Sequence, residues 1–118
     1  MGERATAVLM LLLSQSNKPV IIDQPEEDLD SQTIYHGLIK KIVELKDNRQ
    51  LIFATHNPNI LVLGDCEQVL VCRLEDDNIR FKTGSIDTKN IQQSIINIME
   101  GGRKALEKRE EIYSGWIL

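Results

Sequence analysis

The hydrophobic and polar positions divide the chain into alternating helical and extended segments. The stretch Ala7 to Leu13 is apolar on every side, which predicts a helix packed inside a domain. After a turn at Asn17, Lys18 and Pro19, the unbroken run Val20–Ile21–Ile22 ends on Asp23. Such a run predicts a parallel strand covered on both faces. Ile34, Leu38, Ile42 and Leu45, joined by Ile39 and Val43, then recur at helical spacing behind an N-cap at Asp30 or Ser31, and this helix should close near Asp47 and Asn48. A second aliphatic strand, Gln50 to Thr55, runs into the polar residues His56, Asn57, Pro58 and Asn59. Strand, helix and strand of these lengths make a βαβ unit.

Beyond it the period changes. Asn57–Pro58 starts a single helical turn that Gly64 and Asp65 break. Gln68 to Leu74 reads as a strand, Glu75 to Asn78 as a turn, and Ile79 to Thr83 as an antiparallel partner. Asp87 should cap a helix carrying Ile91, Ile95, Ile98 and Met99, with Gly101 and Gly102 stopping it. A charged amphipathic helix, Arg103 to Tyr113, comes last. The chain is therefore expected to form one α/β domain over residues 1–118.

Composition changes this picture little. A chain of 118 residues with 42% hydrophobic and 27% charged residues is an ordinary globular balance, and a net charge of -4 argues against a nucleic-acid-binding surface of its own while leaving room for a partner domain that binds DNA. The apolar run is too short to span a bilayer and lacks the flanks of a signal peptide, so a cytoplasmic protein with no membrane partner is expected. Cys66 and Cys72 lie apart from any histidine at zinc-ligand spacing, and both are expected to be small buried thiols.

The candidate chemistry gathers after the two parallel strands. Asp23 stands at the carboxyl end of the first, and Glu26, Glu27, Asp28 and Asp30 come within seven positions. A carboxylate at such a strand end can hold a metal ion, or it can simply cap the next loop. Asp30 can equally be a helix N-cap, and the two roles can coexist. His56 ends the second strand, where by itself it reads as a core histidine bonded to backbone, whereas His36 lies one turn into a helix and is expected to be solvated.

Taken in order, Gly2-Glu3-Arg4-Ala5, Val20 to Asp23, Asp28-Leu29-Asp30 and Ala54-Thr55-His56-Asn57-Pro58 resemble the signature loop, Walker B strand, D-loop and switch histidine of ABC-type and SMC-like ATPases. The wordings IIDQPEEDLD, FATHNPNI and MEGGRKALEKR look most like the AAA-like ATPases that accompany PHP-type phosphoesterase domains in bacteria. The resemblance implies a P-loop NTPase fold and roles residue by residue. Asp23 would carry Mg²⁺, Asp30 would belong to the D-loop, and His56 would sense the γ-phosphate. Gly2 and Glu3 would face the γ-phosphate of nucleotide on an opposite subunit.

Gln24 departs from the glutamate usual in ABC ATPases. An amide is no general base, so either Gln24 only orients the water or Glu26 or Glu27 supplies the carboxylate instead. None of the seven glycines is followed by lysine, so no phosphate-cradling G-x-x-x-x-G-K-[ST] loop is present. The chain is accordingly expected to be the C-terminal lobe of an ATPase, inactive alone. It would need an N-terminal lobe with Walker A, ATP and Mg²⁺, with nucleic acid as a partner only through the intact protein. It is also expected to self-associate through surface that the missing lobe would cover, because the Walker A strand would lie between the His56 strand and the strand at Gln68 to Leu74. The competing readings are a TOPRIM-like metal-dependent nuclease using Asp28-Leu29-Asp30, and a non-catalytic interaction module.

Overall fold

The computed structural model describes the backbone of residues 2–117 and the side chains of residues 7–117. Two compact units result, residues 1–65 and residues 66–118.

The first unit opens with helix α1 (Gly2–Ser14) and strand β1 (Val20–Asp23), followed by a 3-10 turn at Pro25–Asp28. Helix α2 spans residues 31–45. It starts as an α-turn at Ser31–Thr33, widens into a π-helical stretch at Ile34–Ile39 and returns to α over Lys40–Leu45. Strand β2 (Leu51–Ala54) pairs with β1 in parallel, Val20 opposite Leu51 and Asp23 opposite Ala54. The short helix α3 (Pro58–Val62) begins at Asn57, whose side chain accepts the Asn59 N–H, with proline at the first helical position where its missing N–H costs nothing.

The βαβ unit thus forms as the periodicity predicts, but among the described residues its sheet is covered on one face only. Val20, Ile22, Leu51 and Phe53 turn inward to a core of Leu13, Leu29, Ile34, Leu38, Ile39, Ile42 and Ile60, each buried aliphatic side chain contributing on the order of 1.5–3 kcal/mol. The alternate residues face out, Ile21 at 75% exposure and Ile52 at 43%. Helix α1 shows the same one-sidedness. Leu13 is buried and Leu9 and Met10 pack on the core, whereas Val8, Leu11 and Leu12 are exposed. Val43 also leaves the expected buried stripe, because the π turn upstream adds a residue to the helical repeat and rotates the α-turns after it.

In the second unit β3 (Gln68–Glu75) and β4 (Asn78–Ser85) form an antiparallel hairpin. Its two-residue loop holds Asp76 and Asp77 both at positive φ, the backbone that matches the twist of the strands. Val69 and Val71 are buried on one face, beside helix α4 (Lys89–Met99) with Ile91 and Ile95. Gly84 permits this approach, since a Cβ there would stand 3.0 Å from Ile91 Cγ1. The other face carries Leu70, Cys72, Leu74, Ile79 and Phe81, all exposed.

Two expectations are corrected here. Cys72 is not a buried thiol, because strand alternation places it on the open hairpin face; Cys66 is half-buried, and neither forms a disulfide. The N-cap position of α4 is Thr88 rather than Asp87, whose N–H instead donates to Ser85 Oγ at 3.1 Å. Gly101 and Gly102, both at positive φ, end that helix and lead into helix α5 (Arg103–Ser114). Among the described residues no helix is long and apolar enough to cross a membrane.

Candidate functional site

The parallel register decides which residues meet. With Asp23 opposite Ala54, the segments leaving β1 and β2 emerge side by side, and the Gln24 N–H donates to the Ala54 carbonyl at 2.7 Å. Asp23 lies on the open face of the sheet with Ile21 and Ile52, its carboxylate exposed. Beyond the strand end of β2 the alternation continues in the exposures: Thr55 is half-buried and His56 is exposed. His56 is therefore not a core histidine. His36 is solvated as expected, its ring set edge-on to Tyr35 at 5.0 Å.

Gln24 adopts a left-handed backbone, φ 48° and ψ 60°, immediately before the 3-10 turn. For a residue with a Cβ this conformation costs roughly 1–2 kcal/mol, and the Ala54 hydrogen bond and buried Pro25 hold it in place. The sharp turn swings the next acidic residues back toward β2.

Glu26 is the residue this turn delivers. The Thr55 hydroxyl donates to its carboxylate, at 2.9 Å from Oε1 and with a still closer approach to Oε2. Thr55 Oγ1 in turn accepts the Asn57 N–H at 3.0 Å, and Asn57 Oδ1 accepts the Asn59 N–H at 2.9 Å. A continuous hydrogen-bonded chain therefore runs from the loop after β1 to the start of α3, with His56 between two of its members. Glu27 and Asp28 point to solvent.

Asp30 is the N-cap of α2. Its carboxylate accepts the Thr33 N–H at 2.7 Å, a bond that holds its pKa below the ordinary aspartate value. The capping alternative is thus realised, on a residue that stays exposed. The side chains of Gly2 and Glu3 lie outside the described residues.

Among the described residues no three acidic, histidine or cysteine side chains converge into a metal cage. A single exposed carboxylate at a strand end instead fits a hard cation that takes its remaining ligands from phosphate oxygens and water.

Two residues here carried no assigned role in the sequence. Thr55 stood inside a motif, and its signal was a hydroxyl at the inward-facing parity just past an apolar strand. Arg49 had no signal, yet it is only 8% exposed and donates to the carbonyls of Lys18 (2.6 Å), Leu12 (3.0 Å) and Leu13 (2.8 Å).

No family model matches the chain. It is similar to a protein of Pyrococcus abyssi (strain GE5 / Orsay) that bears the name of a putative ABC transporter ATP-binding protein, with 33% identity over 81 residues. The match covers 68% of this chain and 30% of the relative, so the chain corresponds to less than a third of that protein's length. The likeness supports a relationship to ABC-type ATPases, and the small parallel sheet with its hairpin is compatible with part of a P-loop NTPase fold.

Proposed function

We propose that this chain is the C-terminal part of an ABC/SMC-like ATPase head, contributing the Walker B, D-loop and switch-histidine elements to Mg²⁺-ATP binding and hydrolysis. The observation that carries this reading is the register that brings Asp23, Gln24 and His56 to one end of a parallel sheet, where α/β proteins bind ligands. Asp23 holds the cation, which would neutralise charge on the β- and γ-phosphates. His56, exposed at the adjoining strand end, bonds the γ-phosphate. Gln24 orients the attacking water through its amide, and Asp30 belongs to the D-loop while it caps α2. Gly2 and Glu3 offer N–H groups to nucleotide on an opposite subunit.

The wordings IIDQPEEDLD and FATHNPNI support a narrower placement among ATPases that accompany bacterial PHP-type phosphoesterase domains, with Gln24 native to that group. The phosphate loop comes from an N-terminal lobe, and any nucleic acid is met through the intact protein in the cytoplasm. This chain by itself turns over no ATP.

The test is Mg²⁺-dependent ATP hydrolysis by the protein that carries this chain. Asp23→Ala should abolish it. His56→Ala should remove the preference for ATP over ADP while sparing nucleotide binding. Equal loss of ATP and ADP binding in the histidine variant, or Mg²⁺-dependent cleavage of DNA without ATP, would overturn the assignment in favour of a structural histidine or a nuclease.

A further inference from the structure

Glu26 and Glu27 are chemically equivalent in the sequence and differently placed in the fold. Glu27 is exposed, whereas Glu26 is half-buried and spends its carboxylate on Thr55. A threonine hydroxyl has one proton to give. Here that proton goes to Glu26, while the oxygen receives the Asn57 N–H, so the bonds run in one direction from Asn57 through Thr55 to Glu26.

His56 lies between Thr55 and Asn57 and is held on both sides by this chain. At the other end, Glu26 is separated from Gln24 only by Pro25, whose ring fixes φ, and Gln24 is itself bonded to Ala54. The His56 loop and the Gln24 loop therefore meet at two points, the Gln24–Ala54 backbone bond and the Thr55–Glu26 side-chain bond.

We infer that Glu26 is a positioning residue rather than the proton acceptor for water, and that the Thr55–Glu26 bond is the latch that keeps His56 and Gln24 in mutual register. The inference rests on the ATPase reading for its consequence in turnover, and on the geometry alone for the latch. When His56 engages a phosphate, the displacement of its loop reaches Gln24 through Thr55 and Glu26. Glu27 is left as the glutamate of this turn that is free to act at the nucleotide.

The amide isostere separates the two roles. In Glu26→Gln the amide oxygen still accepts the Thr55 proton, so a latch survives and a base does not. The first measurement is amide hydrogen exchange at Asn57 in this chain. Glu26→Ala and Thr55→Val should each accelerate it, the double variant no more than either single one, and Thr55→Ser and Glu26→Gln should restore protection. Unchanged exchange at Asn57 in Glu26→Ala would overturn the latch.

The second measurement is steady-state ATP hydrolysis by the protein that carries the chain. Glu26→Ala and Thr55→Val should lower kcat by a similar factor, on the order of tenfold, with little change in KM and no additivity. Glu26→Gln and Thr55→Ser should remain near wild type. A Glu26→Gln variant as inactive as Glu26→Ala, and far below Thr55→Val, would make Glu26 the base and sink the inference. Wild-type protein without ATPase activity would instead refute the ATPase reading, while the exchange data still decide the latch.

Discussion

The guanidinium of Arg49 donates to the carbonyl of Leu13 at 2.8 Å, across 36 positions of sequence. The same side chain bonds the Leu12 and Lys18 carbonyls, so it places a buried positive charge at the carboxyl end of α1 and ties that helix to the segment entering β1. A cation there complements the helix dipole and satisfies carbonyls that the helix itself leaves open.

Arg49→Ala should therefore lower the stability of the first unit by about 2–4 kcal/mol, since charged hydrogen bonds to buried carbonyls are lost together. Arg49→Lys should recover part of it, because an ammonium cannot fan out to all these acceptors. Urea denaturation followed by far-ultraviolet circular dichroism reads the change. A midpoint unmoved by Arg49→Ala would show that water replaces the guanidinium without cost.

Gln24 offers a separation of stability from chemistry. Its φ of 48° is a conformation glycine adopts freely. Gln24→Gly should leave stability unchanged or raise it by up to about 1 kcal/mol, whereas Gln24→Val should destabilise, since a β-branched residue tolerates this region least. Both lose the amide, and both should slow hydrolysis in the complete protein with little effect on nucleotide affinity. Full turnover in the glycine variant would remove Gln24 from the reaction.

Asp30 sets a pH dependence. Its folded pKa is lowered by the bond from the Thr33 N–H, so the unfolded chain binds the proton more tightly than the folded one. The stabilisation from this cap is complete above the ordinary aspartate range and is lost as pH falls through the lowered value, on the acid side of that range. Asp30→Asn keeps an acceptor at the cap and should flatten that acid limb; Asp30→Ala should lose the cap at every pH. Amide exchange at Thr33 between about pH 3 and pH 7 checks this, and an acid limb identical in Asp30→Asn would assign it to other carboxylates.

Association should arise from the open face of the β1–β2 sheet. Ile21 and Ile52 are side by side and exposed, and β2 has β1 as its sheet neighbour among the described residues, which leaves its second edge free to pair. Exposed aliphatic faces and free strand edges both promote pairing with other chains. Sedimentation equilibrium at micromolar concentration should show a dimer or larger assembly, and Ile21→Lys with Ile52→Lys should shift it toward monomer. A monomeric wild-type chain would mean that this surface is tolerated in water.

What the amino-acid sequence determined by itself was local. Asp30 before an apolar-periodic helix, Asn57–Pro58 at a helix start, the Glu75 to Asn78 turn and the Gly101–Gly102 stop all work within a few residues, where backbone sterics and short hydrogen bonds suffice. The order of the aliphatic strands and the polar residues that end them was legible for the same reason, and with it Asp23, Gln24 and His56 as candidates. Only the tertiary structure decided that the sheet is bare on one side, because an aliphatic run looks alike whether one face is covered or both. It alone distinguished Glu26 from Glu27, since the Thr55 partner is 29 positions away and is brought near by strand register rather than by spacing. Arg49 shows the limit most plainly: a charged residue in a polar turn reads as solvated until folding brings the end of α1 within reach of its side chain.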